Sequence, residues 1–496
     1  MRILHDSILL FAALAGGILS VAGEDAKALP QKLSIEEAVF LGLRNNHDLR
    51  IQQLEPVIAG AFEGIERGVF DPELFAAFSF SEESVSETNR ATEEQFSVEA
   101  RDSDAVVGLR QRTPIGTKIE LSAGVDRTIS NRSPEQQQVR FGLTVTQQLL
   151  RGFGPSVGLA RLRQAALETL ASESQLRGFA EALVADVETA YWQLVLASES
   201  IEVFEESLTL AEAQLRDVTA RIEVGQLSDY EAAAARADVA LRKQDLIDAE
   251  SAEKMRRLEL MRLIYPKLPT NEAFRFAATT EPDVERIEVP EVDERVSLAL
   301  QSRPEIEEAE YQLQRGELET VVTRNGRLPR LELFINLGKS GFASTFQESF
   351  RESDGPNFDA SAGIEFSQFI GNRADRARDA IAQTSLEQSE EALLNLRSLV
   401  RFDVLRALNE LQRAGEQIGA SRETRRFRQQ IFEAEQDRFE VGDSTALEVS
   451  RTQRDLVESR IGEIEAKVAY QLAKLQLFLA EGSLLDRRGL VVGSVR

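Results

Sequence analysis

The chain has 496 residues, 83 acidic against 58 basic side chains and no cysteine. A net charge of −25 argues against nucleic acid as a partner, and the missing thiols exclude a disulfide framework or a lipid-modified cysteine. Of two histidines, His5 lies in the leader read below and only His47 remains, so metal sites and histidine-based nucleophilic chemistry start almost without ligands. No catalytic constellation or cofactor motif is found, and the chain reads as a non-enzyme.

The start, MRILHDSILLFAALAGGILSVAGED, carries Arg2, an apolar run from Ile8 to Leu19 and the small residues Ser20, Val21 and Ala22. This is the plan of a secretory signal over 1–22; an apolar run of about 12 residues is too short for the competing reading, a membrane anchor. No later apolar run has the length of a membrane-spanning helix. An exported chain can still enter a membrane through alternating strands closed into a barrel.

Two structural repeats follow. The first, 23–270, is read as a helix over 34–68, strands between 74 and 147 and a long helical hairpin over 157–266. The second, 271–481, repeats that order as a helix over 292–325, strands between 331 and 367 and a hairpin over 373–481, with 482–496 as a tail. Leu43-Arg44-Asn45-Asn46-His47-Asp48-Leu49 matches Leu300-Gln301-Ser302-Arg303-Pro304-Glu305-Ile306, and Pro72 matches Pro329, at an offset of 257. Beyond the strands the offset is 217, so the first repeat holds 40 additional residues. They form either two further barrel strands or a hairpin folded elsewhere.

The strand regions alternate with period two. Ile119, Leu121, Ala123 and Val125, and again Val139, Phe141, Leu143 and Val145, are interleaved with polar residues and glycine. Leu331, Leu333, Ile335 and Leu337 do the same, as do Ala360, Ala362, Ile364 and Phe366. Six strands are expected, near 74–80, 104–112, 117–125, 139–147, 331–337 and 359–367. The turn Thr113-Pro114-Ile115-Gly116 is tight, whereas 81–103, 126–138 and 338–358 are predicted as long polar loops. That asymmetry suits an outer-membrane barrel with short inner turns and long outer loops. Six strands cannot enclose a pore alone, whereas several copies sharing one barrel could; a soluble sandwich is the alternative.

The hairpins read as helix because no proline falls between Pro155 and Pro266 or after Pro356. From Phe179 to Leu215, eleven apolar residues advance by threes and fours at a mean of 3.6. A helix from Leu159 to Ile222 would be ~95 Å long at 1.5 Å per residue. The phrase RIEVGQLSDYE at 221–231 returns as RFEVGDSTALE at 438–448. Gly225 and Gly442 suit the left-handed end of a helix. Ser228 with Glu231, and Thr445 with Glu448, have the spacing of capping boxes for the returning helices. Each phrase is thus a turn between antiparallel helices.

These motifs carry a resemblance. Leu33-Ser34-Ile35-Glu36-Glu37-Ala38, the run Asn45 to Leu49, the strand end Gln147-Gln148-Leu149-Leu150 (lacking the family's proline) and the paired tips resemble the TolC-type outer-membrane efflux proteins over nearly all of the mature sequence. The resemblance implies an α+β membrane protein, a homotrimer whose antiparallel hairpins form a periplasmic tunnel and whose strands form one barrel in outer-membrane lipid. It also implies passive conduction, without a cofactor, in tripartite efflux or type I secretion. The partners would be a periplasmic adaptor (membrane fusion) protein and an inner-membrane RND or ABC transporter. Two other readings are a periplasmic adaptor, which should carry one hairpin between lipoyl-like segments, and a secreted coiled-coil protein, which needs no alternating strands.

By residue-wise correspondence, Glu448 and Glu231 would occupy acidic positions at the periplasmic entrance. The next constricting aspartate is replaced by Arg451, which could pair with Glu448 across one turn. Val224, Gly225, Gln226 and Leu227, with Val441, Gly442, Asp443 and Ser444, would contact the adaptor. The family's tyrosine–arginine latch falls on Phe439 and Ser444, so that latch is not expected.

Overall fold

The computed structural model describes residues 32–88, 90, 93, 95–265, 276–284 and 291–491; the expected signal at 1–22 lies outside them. The chain opens with β1 (Lys32–Leu33), α1 (Ile35–Asn45) and α2 (His47–Gly68). Strands β2 (Glu73–Thr88), β3 (Gln95–Arg112), β4 (Thr117–Ser130) and β5 (Ser133–Gln148) follow. A short α3 (Pro155–Gly158) precedes the first hairpin, α4 (Ala160–Glu223) and α5 (Asp229–Ile264). After β6 (Ala277–Ala278) come α6 (Val292–Ser302), α7 (Pro304–Gly326), β7 (Arg330–Ala343), α8 (Phe346–Glu352) and β8 (Phe358–Ser367). The second hairpin, α9 (Arg373–Glu440) and α10 (Ala446–Ala480), leads to α11 (Leu484–Arg487).

The helices expected over 34–68 and 292–325 are each broken once. Asn46 leaves the helical conformation and caps α2 by accepting the Leu49 N–H at 3.0 Å. Asn45 and Asn46 also donate through Nδ2 to the Ile264 and Leu263 carbonyls at 3.1 and 3.2 Å. The break therefore satisfies the open end of α5. In the second half Pro304, at the first position of α7, sets the matching break.

At 64 residues, α4 is ~96 Å long at 1.5 Å per residue. Its core lies where α1, α5 and α10 meet it, around Val184, Val187, Tyr191 and Leu194. The Tyr191 hydroxyl donates to the Leu33 carbonyl at 3.0 Å and accepts the Thr279 and Thr280 N–H groups, tying β1 and the segment after β6 to α4. Farther from the strands, Val218, Ala235, Phe432, Phe439 and Val449 make a separate small core. Other apolar stripes stay open. On α2, Ile51, Leu54, Ile58, Phe62 and Ile65 advance by threes and fours, and all are exposed.

Six antiparallel strands form one sheet in the order β2-β3-β4-β5-β7-β8. The register makes its two faces opposite in character. Leu74, Leu109, Leu121, Leu143, Leu337 and Ala360 lie side by side across all six strands. The neighbouring row, on the other face, is Glu73, Arg110, Glu120, Thr144, Asn336 and Ser361. β3 and β4 lie between β2 and β5, so the additional residues of the first half add two strands to the sheet.

The long loops expected at 81–103, 126–138 and 338–358 are corrected here. β2 pairs with β3 out to Thr88 and Gln95, β4 reaches Ser130, and β7 reaches Ala343. In the second extension nearly all side chains are polar, and in the first the few apolar ones, Val85, Phe96 and Val98, lie on the face opposite Leu74, so the apolar column does not continue although the backbone ladder does. Ion pairs between strands and turns join these extensions: Arg101–Glu82 at 2.7 Å, Arg132–Glu87 at 2.9 Å and Arg127–Glu135 at 2.6 Å.

Candidate functional site at the hairpin tips

The two tips share one backbone solution. Gly225 has φ +77° and Gly442 φ +82°. The Gly225 N–H donates to the Ile222 carbonyl and the Gln226 N–H to the Arg221 carbonyl, both at 2.8 Å. Gly442 and Asp443 repeat this with Phe439 and Arg438 at 3.1 and 2.8 Å. These are Schellman ends, which close the last carbonyls of α4 and α9.

The caps differ. Thr445 Oγ1 accepts the Glu448 N–H at 3.3 Å, so the threonine half of its box forms. Ser228 makes no side-chain cap, contrary to expectation, because the Glu231 N–H already donates to the Ser228 carbonyl at 3.1 Å. The Glu231 carboxylate is engaged elsewhere: it accepts the Ala446 N–H, the first of α10, at 3.0 Å. An acid of the first hairpin thus caps a helix of the second, where the macrodipole favours negative charge.

Arg221 makes the complementary contact. Its Nη1 lies 3.4 Å from the Phe439 and Glu440 carbonyls, and its guanidinium is 5.2 Å from the centre of the Phe439 ring. A cation therefore sits on the carboxyl end of α9 while an anion sits on the amino end of α10. Phe439 is buried in this arrangement. Ser444 Oγ donates to Glu435, and Arg438 binds Glu435 at 3.0 Å and the Asp443 carbonyl at 3.1 Å.

Behind the tips, Arg242 is 2% exposed and pairs with Asp238 at 3.2 Å and Asp245 at 3.6 Å. It also donates to the Ser450 carbonyl of α10. Burial pushes the Asp238 carboxyl up, against the pull of Arg242. Nearby Gln453, also buried, donates to the Ser207 carbonyl of α4 at 3.0 Å.

The outermost groups are open. Val224 is 70% exposed and Val441 81%, while Gln226 and Asp443 also face solvent and Leu227 is half-buried. Glu448 and Arg451 are both exposed, and the pairing that their spacing allows does not form among the described residues. Sequence reasoning missed Arg221, Arg242 and the destination of Glu231. Arg221 opens the repeated phrase, and that was the available signal; the other two depend on contacts between hairpins.

Long helical hairpins joined to a sheet with one apolar and one polar face define a membrane channel protein with a helical extension. The chain belongs to the outer membrane efflux protein family, whose sequence profile matches residues 43–264 and 296–483. It is similar to the pyoverdine export outer membrane protein OpmQ of Pseudomonas putida, 27% identical over 72% of this chain and 80% of that protein. Outer membrane protein TolC of Vibrio cholerae is 25% identical over 76% of this chain and 84% of its own length. In fold the chain resembles the open-state Neisseria gonorrhoeae MtrE outer membrane channel, with a TM-score of 0.66, 17% identity and coverage of 91% of this chain and 89% of that one.

The protein is therefore an outer-membrane efflux channel that extends into the periplasm, in a family of channels rather than enzymes. The adaptor and secreted coiled-coil readings fall with that membership.

Proposed function

We propose that three identical copies form a passive export duct, pooling their sheets into one barrel in outer-membrane lipid and their hairpins into a periplasmic tunnel. The observation that carries this reading is what one chain leaves open. Among the described residues the outer strands β2 and β8 each have a free edge, most of the apolar sheet face is uncovered outside the patch under α8, and the α2 stripe has no partner. An open edge and an apolar helix stripe both call for another chain. Six strands from each of three copies give eighteen, a number that leaves a water-filled channel. The apolar row then faces lipid and the polar row lines the lumen.

The order helix, strands, hairpin occurs twice, with α4 and α9 at 64 and 68 residues and α5 and α10 at 36 and 35. Tandem duplication of one unit accounts for this. The tips are the periplasmic entrance. Val224, Gly225, Gln226, Leu227, Val441, Gly442, Asp443 and Ser444 receive a periplasmic adaptor, which links the duct to an inner-membrane RND or ABC pump in tripartite efflux or type I secretion. Export of small molecules is in keeping with the relative named for pyoverdine export.

Glu448 and Arg451, exposed and unpaired with each other, line the entrance and set its ionic preference. Conductance across a planar bilayer tests this assignment. Glu448→Ala is expected to lower cation preference; unchanged preference and closure would remove Glu448 from the lumen.

A further inference from the structure

On β7 the apolar column Leu331, Leu333, Ile335, Leu337 stops at Lys339 and Gly341. Here α8 folds back over the sheet. A Cβ on Gly341 would lie 2.0 Å from the Ser349 carbonyl oxygen and 2.4 Å from the Ser353 nitrogen, so only glycine lets the helix lie this close. Gly341 is opposite Val139, which places α8 on the apolar face, and Val139 is 3% exposed beneath it. Ser349 is fully buried and donates to the Gln137 carbonyl at 2.7 Å. Phe350 meets Phe141 edge-on at 6.2 Å, and Phe346 lies 6.4 Å from Phe350. Both α8 rings nevertheless stay about half exposed, at 51% for Phe346 and 54% for Phe350.

We propose that α8 is an interfacial anchor, whose Phe346 and Phe350 enter lipid at the outer border of the membrane where the apolar column of β7 ends. The proposal rests on the reading that the apolar face meets lipid. A fixed helix replaces the missing apolar height on β7, and aromatic rings are suited to the boundary between acyl chains and headgroups. Lys339, held by Asp354 at 3.4 Å, interrupts the β7 column at the level of Phe141, where Phe350 meets the sheet. A neighbouring copy is not the occupant: copies join at β2 and β8, and β8 stands between α8 and the nearer edge.

Tryptophan quenching in vesicles of brominated phosphatidylcholine tests this. The chain's only tryptophan, Trp192, is 5% exposed in the helical core and gives a shielded background. Phe346→Trp is expected to lose fluorescence most with bromines near the headgroup, and Ile364→Trp, farther down the apolar face, most with bromines near the chain end. Adding Gly341→Val should lift α8 and abolish the loss at Phe346→Trp while sparing that at Ile364→Trp. Loss at Ile364→Trp with none at Phe346→Trp overturns the anchor and leaves the barrel standing. No loss at either position overturns the barrel itself.

Discussion

The two hairpins start from one phrase and use it differently. In the second, Thr445 caps its own helix, and Arg438, Glu435, Asp443 and Ser444 bind one another. In the first, Ser228 caps nothing through its hydroxyl, while Glu231 and Arg221 reach across to the ends of α10 and α9. Glycine fixes the turn in both; the neighbours decide where the charged side chains go. The long helices differ in the same way. α4 packs against α2, α5, α7 and α10 and buries Glu181 and Glu188, whereas α9 leaves Ile381, Leu394, Leu399 and Phe402 exposed. Of the two long helices, α4 is the one already enclosed within a single chain, and α9 awaits neighbours.

The largest effect is expected where enclosure is deepest. Arg242→Ala leaves Asp238 buried without its partner and should destabilise the hairpins by about 3 kcal/mol, read from thermal unfolding followed by helical circular dichroism. A loss within a few tenths of a kcal/mol would mean that Asp238 and Arg242 are not enclosed between α5 and α10.

Glu181 sharpens the contrast through pH. Burial pushes its carboxyl up to about 7, with Glu305 and Asp486 adding to the rise and Arg177 and Arg303 opposing it. Its folded value lies above its unfolded one, so ionisation opposes folding. That cost is absent below about 4.5, grows as pH rises and is complete above about 7. Glu181→Gln should therefore flatten the fall in stability between pH 5 and pH 8 and, after discounting for the nearby arginines, raise stability at pH 8 by on the order of 2 kcal/mol.

At the tips, Thr445→Ala should cost about 1 kcal/mol, and Glu231→Ala a similar amount through a helix not its own. Ser228→Ala should be the smallest change, a few tenths of a kcal/mol, because its hydroxyl caps nothing. Equal costs at Ser228 and Thr445 would erase the difference between the tips.

Much of this was legible in the sequence. Gly225 and Gly442 marked the hairpin ends because their conformation is local. The alternation at 119–125, 139–145 and 331–337 gave the sheet its faces because side-chain period is intrinsic to a strand. The extensions of β2 to β5 were hidden because β4 and β5 become almost wholly polar there, while the few apolar residues of β2 and β3, Val85, Phe96 and Val98, change to the other face. Glu231's bond to Ala446 was hidden for another reason: its partner is 215 residues away, and only the packing of two hairpins brings them together. The break at Asn46 was missed because its purpose, closing α5, is equally remote.

The central claim is that single chains are incomplete and pool their sheets and stripes. The mass of the detergent-solubilised particle, corrected for bound detergent, tests it most directly. Three chains per particle is the predicted result. A single chain that remains in solution when the detergent is removed would contradict it.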